Sequence, residues 1–461
     1  MHMALCAVTE SSIIKLYKYM PIAEPIIASH FKKQLLSGII WRSCNVLLAF
    51  AYNVMLVTQL GAGLSGNFYY LLNNLFFVVL LLGIGLESGI SFYNSRKEIS
   101  VSHLFSISVI WSTVGAGLFL ILFTFFSAQL HLGYNQFFLV AYIFGAMLTT
   151  FLSSIYFTQY NNKVPNLVAC STTVILILLL PKMPWINGAI SFNTYIAVYL
   201  SSSFFSALVL TITMLRKKIL FSFSSMQPGI LKPILLFSFH SFIISLLFNL
   251  LKRSDFWLVN KWCSVADAGN YFQASKVMQL LLLLPALASF SLYPLIVQTI
   301  KKNEGERRSS DTESKVLQLV GLYFFIAIVL SLGILLFGYW VFPVLYGPTF
   351  NHLYQVTLYL IPGLVFFAAT YPLTTYFAGK NQNMRTILYL GISIVVLFLS
   401  NVILTPRYFI YGAAISSSVS NIVYFILLVS RFFMMNKLPF NLKYFRVSLG
   451  IKDISKSFYS L

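Results

Sequence analysis

Apolar residues in this chain neither alternate nor recur only every third or fourth position. They run on for twenty or more residues between short polar breaks. A helix of about 20 residues, rising 1.5 Å per residue, suffices to cross a bilayer. Twelve such runs are predicted, at 36–59, 66–93, 103–127, 135–158, 165–185, 190–214, 232–260, 268–298, 317–342, 355–378, 384–404 and 409–432. The breaks are polar or turn-forming: Gly61-Ala62-Gly63, Asn94-Ser95-Arg96-Lys97, Asn161-Asn162-Lys163 and Arg216-Lys217-Lys218. Period-two alternation is absent, so the runs do not read as barrel strands, and only helices then satisfy their backbones in lipid. The expected fold is an all-α integral membrane protein.

Composition agrees: 58% of the 461 residues are hydrophobic and 9% charged, too little charge to cover a soluble surface. A net charge of +20 would suggest nucleic acid in a soluble chain. Here the cations flank the apolar runs. One side collects Lys32-Lys33, Arg96-Lys97, Lys163, Arg216 to Lys232, Lys301 to Lys315, Lys380, Arg385, and Arg431 to Lys456; the other holds Lys182, Lys261 and Arg407. This asymmetry predicts both termini in the cytoplasm and an even number of crossings in a plasma membrane, with no nucleic-acid partner. The first ten residues hold no Lys or Arg, and Glu10, Lys15, Lys18 and Glu24 interrupt any apolar core, so the start does not read as a secretory signal.

The expected organisation is a cytoplasmic lead-in at 1–35, an N-lobe of six helices at 36–215, a cytoplasmic linker at 216–231, a C-lobe of six helices at 232–433 and a basic tail at 434–461. Gly66-Asn67-Phe68-Tyr69 opens the second run, and Gly269-Asn270-Tyr271-Phe272 opens the eighth, 203 residues later. Two like-oriented halves follow from that offset and the matching helix order.

Chemistry in the membrane is sparse. Cys6, Cys44, Cys170 and Cys263 lack metal-ligand spacing, and no metal or cofactor is expected. No hydrolase, zincin or Walker motif occurs, and no outward loop exceeds about a dozen residues by this reading, so an enzyme is not expected. Ionisable residues at membrane depth face protein or water rather than lipid. Ser238, Ser241, Ser245, Asn249 and Lys252 recur at spacings of three and four and form one polar stripe. Serine-mediated helix packing explains such a stripe in part. Its end in Lys252, Arg253 and Asp255 points instead to a water-filled cavity.

Lys252 lies nine residues before Lys261, and Lys276 eight residues into the eighth run. Both are then roughly 12–13 Å from the outer side and share one depth. Arg42 and Glu87 lie at a common depth near the inner side, which predicts an ion pair; the other reading of Arg42 is snorkelling to headgroups. His240 reads as a packing residue. The expected substrate path comprises Arg42, Glu87, Asn249, Lys252, Arg253, Asp255 and Lys276.

Several stretches occur in a recognisable order: Arg253-Ser254-Asp255, Gly269 to Lys276, Tyr293-Pro294, Tyr346-Gly347-Pro348, Ile361-Pro362-Gly363, Gly379-Lys380-Asn381, Asn401 to Pro406 and Tyr411 to Ser416. Across 230–432 this order resembles the Wzx-type lipid-linked O-antigen flippases, a polysaccharide-exporter branch of the multidrug/oligosaccharidyl-lipid/polysaccharide exporter superfamily. The first half matches mainly in hydropathy and at 60–97. The resemblance implies a MATE-like fold of two six-helix lobes. It also implies movement of undecaprenyl-diphosphate-linked oligosaccharide from the inner to the outer leaflet of the bacterial plasma membrane. Lipid-linked oligosaccharide and membrane lipid are the implied partners, with polysaccharide polymerase and chain-length proteins as further ones. Coupling to a proton or sodium gradient stays open. One rival is a multidrug cation exporter of the same superfamily. The first helix here carries Arg42 and no acid, which argues for an anionic substrate. A polymerase or ligase is a second rival, and it lacks its large outward loop.

Overall fold

The described parts of the apolar runs fold as helices in the computed structural model, which describes residues 24–130, 135–159, 161–180, 192–222, 228–283, 285–286, 309–380 and 382–436. The lead-in before residue 24, the end of the eighth run including Tyr293-Pro294, Lys301 to Arg308, Lys182, Asn381 and the tail past 436 lie outside the described residues. The helices are α1 (Glu24–Gly83), α2 (Leu86–Ser95), α3 (Val101–Leu130), α4 (Gln136–Thr158), α5 (Lys163–Leu179), α6 (Phe192–Arg216), α7 (Pro228–Arg253), α8 (Asp255–Trp262), α9 (Val265–Leu281), α10 (Ser309–Tyr346), α11 (Leu353–Gly379) and α12 (Asn383–Asn436). No strand occurs among the described residues.

Two of these helices are too long for one crossing. A straight α1 of 60 residues would measure about 90 Å, and α12 of 54 residues about 81 Å, against a hydrocarbon core of about 30 Å. Each breaks where its sequence cannot stay helical. Gly61 sits at φ 68° and ψ 176°, a conformation open to glycine. The bend leaves the Ala62 N–H to the Thr349 hydroxyl, at 3.2 Å. In α12 the break falls at Phe409, φ 51°, three residues after Pro406. A Cβ on Gly412 would strike the Leu404 carbonyl. Residues eight apart in a continuous helix lie about 12 Å apart along its axis, so the chain has doubled back.

Eight helical stretches among the described residues are long and apolar enough to cross a membrane, and two of them contain these bends. With α5, 17 residues, and α9, the fold has about twelve crossings. The outward faces are apolar as lipid requires. Phe337, Trp340 and Val344 on α10 are 61%, 65% and 85% exposed, a patch that would drive aggregation in water.

The chain divides into two compact units. The first holds residues 1–59 and 71–246, the second 60–70 and 247–461. In the first, α4 packs against α2, α3 and α6. Ile84 and Gly85 adopt positive φ and interrupt the second crossing between α1 and α2. There Gly85 and Gly89 seat directly on Ser238 and Ile234 of α7.

In the second unit, α11 is the central helix, packed against α9, α10 and α12. Pro362 interrupts its hydrogen-bond ladder. The Ser418 hydroxyl of α12 enters the gap: it accepts from the Gly363 N–H at 3.2 Å and donates to the Tyr359 carbonyl at 2.7 Å. Ser418→Ala is expected to destabilise the detergent-solubilised protein by about 1–3 kcal/mol, the cost of unpaired buried backbone groups. An unchanged thermal midpoint would refute the bridge. At the opposite edge of this unit, residues 62–66 of α1 cross α9 at backbone contact. A Cβ on Gly66 would overlap the Val265 carbonyl, and one on Gly269 the Ala62 carbonyl. Only glycine permits that approach.

Candidate functional site

The polar stripe of α7 resolves into two halves with different surroundings. Ser238 and Ser241 are buried, and Ser238 packs on the glycines of α2, which is helix packing through small residues. Asn249 is also buried, at 9% exposure. Beyond it the helix pair α7–α8 turns at Ser254, and Lys252 and Asp255 enter a cavity of about 50 Å³ in the second unit. Ser275, Gln279, Ser417 and Asn421 complete its polar wall, with Leu251, Leu360 and Phe367 among the apolar contacts. About 50 Å³ accommodates a few waters and no sugar.

Aromatic rings contact two of the cations here. Lys252 Nζ lies 4.2 Å from the ring centroid of Phe248, four residues earlier on the same helix, and 5.1 Å from that of Phe367 on α11. Lys276 Nζ lies 3.4 Å above the Tyr69 ring. A ring face attracts an ammonium through its quadrupole and leaves the net charge intact. Arg253 sits within electrostatic reach of Lys252, Lys276 and Asp255. Three cations and one acid give the cluster a formal +2.

The Asp255 carboxylate accepts a hydrogen bond from the Tyr271 hydroxyl. Tyr271 is fully buried and also bonded to Ser275 and Ser417. Its single proton goes to the carboxylate, so the serines donate to it. Tyr271, Ser275 and Ser417 were not singled out from the sequence. The first two stand in the Gly269 to Lys276 stretch, and helical spacing from Lys276 was the available signal.

Arg42 and Glu87, expected to pair, are both half-buried in the first unit, and Arg96 pairs with Glu98 at 3.2 Å. Equal depth along two helices leaves their rotation about the helix axes undetermined, and that rotation decides whether side chains meet. Gly66 and Gly269, expected at equivalent turns of two halves, meet each other within the second unit. No cluster of three or more His, Cys, Asp or Glu able to hold a metal occurs among the described residues.

No known family's sequence profile matches this chain. No curated protein sequence matches it either. Solved structures do. A MATE-family multidrug resistance transporter of the MOP superfamily, in an inward-facing conformation, superposes with a TM-score of 0.64 at 15% identity, covering 87% of this chain and 99% of that one. The lipid II flippase MurJ, in an inward closed conformation, gives 0.68 at 16% identity over 92% of both chains. A MOP superfamily transporter from Pyrococcus furiosus, described as having a binding pocket of reverse polarity, gives 0.57 at 17% identity over 87% of this chain and 94% of that one. The chain is therefore an all-α, multi-pass integral membrane protein with the MATE-like fold of about twelve helices.

Proposed function

We propose that this chain is a flippase, carrying an anionic, lipid-linked oligosaccharide from one leaflet of a membrane to the other. The observation that carries the reading is the charge cluster of Lys252, Arg253 and Lys276 in the second unit, of which Lys252 lines the cavity beside Asp255, whose carboxylate is bonded by a tyrosine. A diphosphate crossing lipid unpaired is costly, and a polar wall with surplus positive charge lowers that cost. The same surplus disfavours a cationic drug. The fold likeness to MurJ, a lipid II flippase by its description, supports a lipid-linked cargo.

In this reading the cargo is an undecaprenyl-diphosphate-linked repeat unit for O-antigen or capsule-type polysaccharide, moved outward across a bacterial inner membrane. Polymerase and chain-length proteins take it onward. In this reading Asn249 and Arg253 contribute to the path from the second unit, and Arg42 and Glu87 from the first. The stretch 216–231 joins two six-helix halves at the cytoplasmic face.

Reconstitution tests the activity. Liposomes containing the purified chain should move a fluorescent glycan linked to polyprenyl diphosphate between leaflets, read by accessibility to a membrane-impermeant quencher. Movement no faster than in empty liposomes would end the proposal. Orientation has its own test. Reporter fusions after Lys218 and after Lys437 should both report a cytoplasmic position, and an external signal at either would break the even-helix topology.

A further inference from the structure

A second cavity lies elsewhere in the same unit, at the backbone crossing of α1 and α9. Its volume is about 570 Å³, within the range of about 300–1,000 Å³ usual for small-molecule sites. Three chain breaks build it: the Gly61 bend, the start of α9, and the loop between α10 and α11. Gly63, Asp267, Asn270, Thr349, Asn351 and His352 line it.

Two of these polar groups are committed to the fold. Thr349 accepts from the Ala62 N–H at 3.2 Å, and Asn270 accepts from the His352 N–H at 3.1 Å while donating to the Ala266 carbonyl at 3.0 Å. The remaining three, Asp267, Asn351 and His352, keep hydrogen-bonding capacity at the cavity wall. Asp267 has one carboxylate oxygen engaged by Ser264, at 2.7 Å, and the other remains as an acceptor. Asn351 is exposed and offers an amide donor and acceptor together. His352 is oriented from behind. Its Nδ1 stands 2.9 Å from the Tyr411 hydroxyl, which donates to Gln355 Oε1 at 2.6 Å. The tyrosine proton is spent on Gln355, so Nδ1 carries its own proton and Nε2 is the ring atom left for a ligand.

The chemistry of this wall selects a ligand class. No Lys or Arg lines the cavity, so a phosphate has no partner. A single acid and no thiol make a poor metal site. Leu60, Ala62 and Leu64 add apolar surface beside the polar groups, as the faces of a sugar ring require. A carboxylate, an amide and an imidazole edge around a roomy pocket match clustered hydroxyl groups, each of which donates and accepts.

We propose that this pocket binds a neutral sugar, the glycan portion of the cargo, apart from the cations that hold its diphosphate. This rests on the flippase reading. By alternation of the helices, all three breaks fall on the side poor in Lys and Arg, the outer one, where the glycan emerges.

The experiment uses the full chain in detergent with two probes: an array of immobilised neutral oligosaccharides, and farnesyl diphosphate. The wild type should retain at least one glycan. Asn351→Ala and His352→Ala should each weaken that binding about tenfold, the value of one or two hydrogen bonds. Gly63→Leu should abolish it by filling the pocket, since a Cβ there meets nothing within 4 Å. Farnesyl diphosphate binding should be unchanged in all three variants, which also shows that they fold. If the wild type holds farnesyl diphosphate but no glycan, or if Gly63→Leu binds glycan as before, the pocket assignment is overturned. If glycan binds and responds to the variants while farnesyl diphosphate does not bind at all, the sugar site stands and the diphosphate role of the cations falls.

Discussion

Lys252→Ala is expected to cut transport of a polyprenyl-diphosphate-linked glycan about tenfold, and Lys252→Ala with Lys276→Ala about 100-fold, with protein levels unchanged. A charge-assisted hydrogen bond to an anion is worth about 1.5–3 kcal/mol, which is one to two decades in an equilibrium constant. Both lysines rest against aromatic rings, contacts worth about 1–2 kcal/mol each. The loss should appear in transport and leave folding intact. Arg253→Ala belongs to the same series. Arginine at position 252 or 276 should restore most of the activity, because charge rather than shape is required. The pair shares one charge cluster, so the double variant need not equal the product of the singles. Transport by all three alanine variants at the wild-type rate, measured in liposomes, would remove these residues from the path and make them structural.

Gly269→Leu should have the largest effect on the protein itself: loss of monodisperse, folded chain on size-exclusion chromatography. The new Cβ would fall on the Ala62 carbonyl, and further atoms would spread along the α1 segment. Overpacking a core costs about 1–3 kcal/mol where side chains yield, and more where the obstacle is backbone. Gly391→Ala on α12 is the matched control. Nothing lies within 4 Å of its Cβ, and alanine favours the helix by about 1 kcal/mol. If Gly269→Leu eluted and melted like the wild type, the close crossing of α1 and α9 would be wrong.

Much of the fold was legible because bilayer thickness sets a length scale that sequence displays directly. Polar breaks such as Asn94 to Lys97 end helices where expected. The bends were less legible. Gly61-Ala62-Gly63 and Pro406 mark two of them, and Gly83-Ile84-Gly85 has the same glycine spacing inside what reads as one unbroken run; the β-branched Ile84 is held at positive φ by its surroundings. The candidate site was legible as a set of charges and illegible as a set of partners. Phe248 beneath Lys252 follows from helical spacing. Phe367 and Tyr69 come from other parts of the chain, and no spacing rule reaches them. The Gly66 and Gly269 motifs read correctly as special positions. That they touch is a fact of tertiary structure.

The joint at Pro362 bears on how a cavity with room for a few waters would open to the larger cargo of the proposed function. Leu360 and Leu364, on either side of it, belong to the cavity wall, as does Ser417 beside the bridging serine. A regular helix resists bending because every ladder bond must stretch with it. Here one ladder bond is replaced by a hydroxyl that rotates about its own C–O axis while keeping both partners. The wall is thus softest in bending at the place where it encloses the charges, and α11 can flex there without exposing a backbone group to lipid.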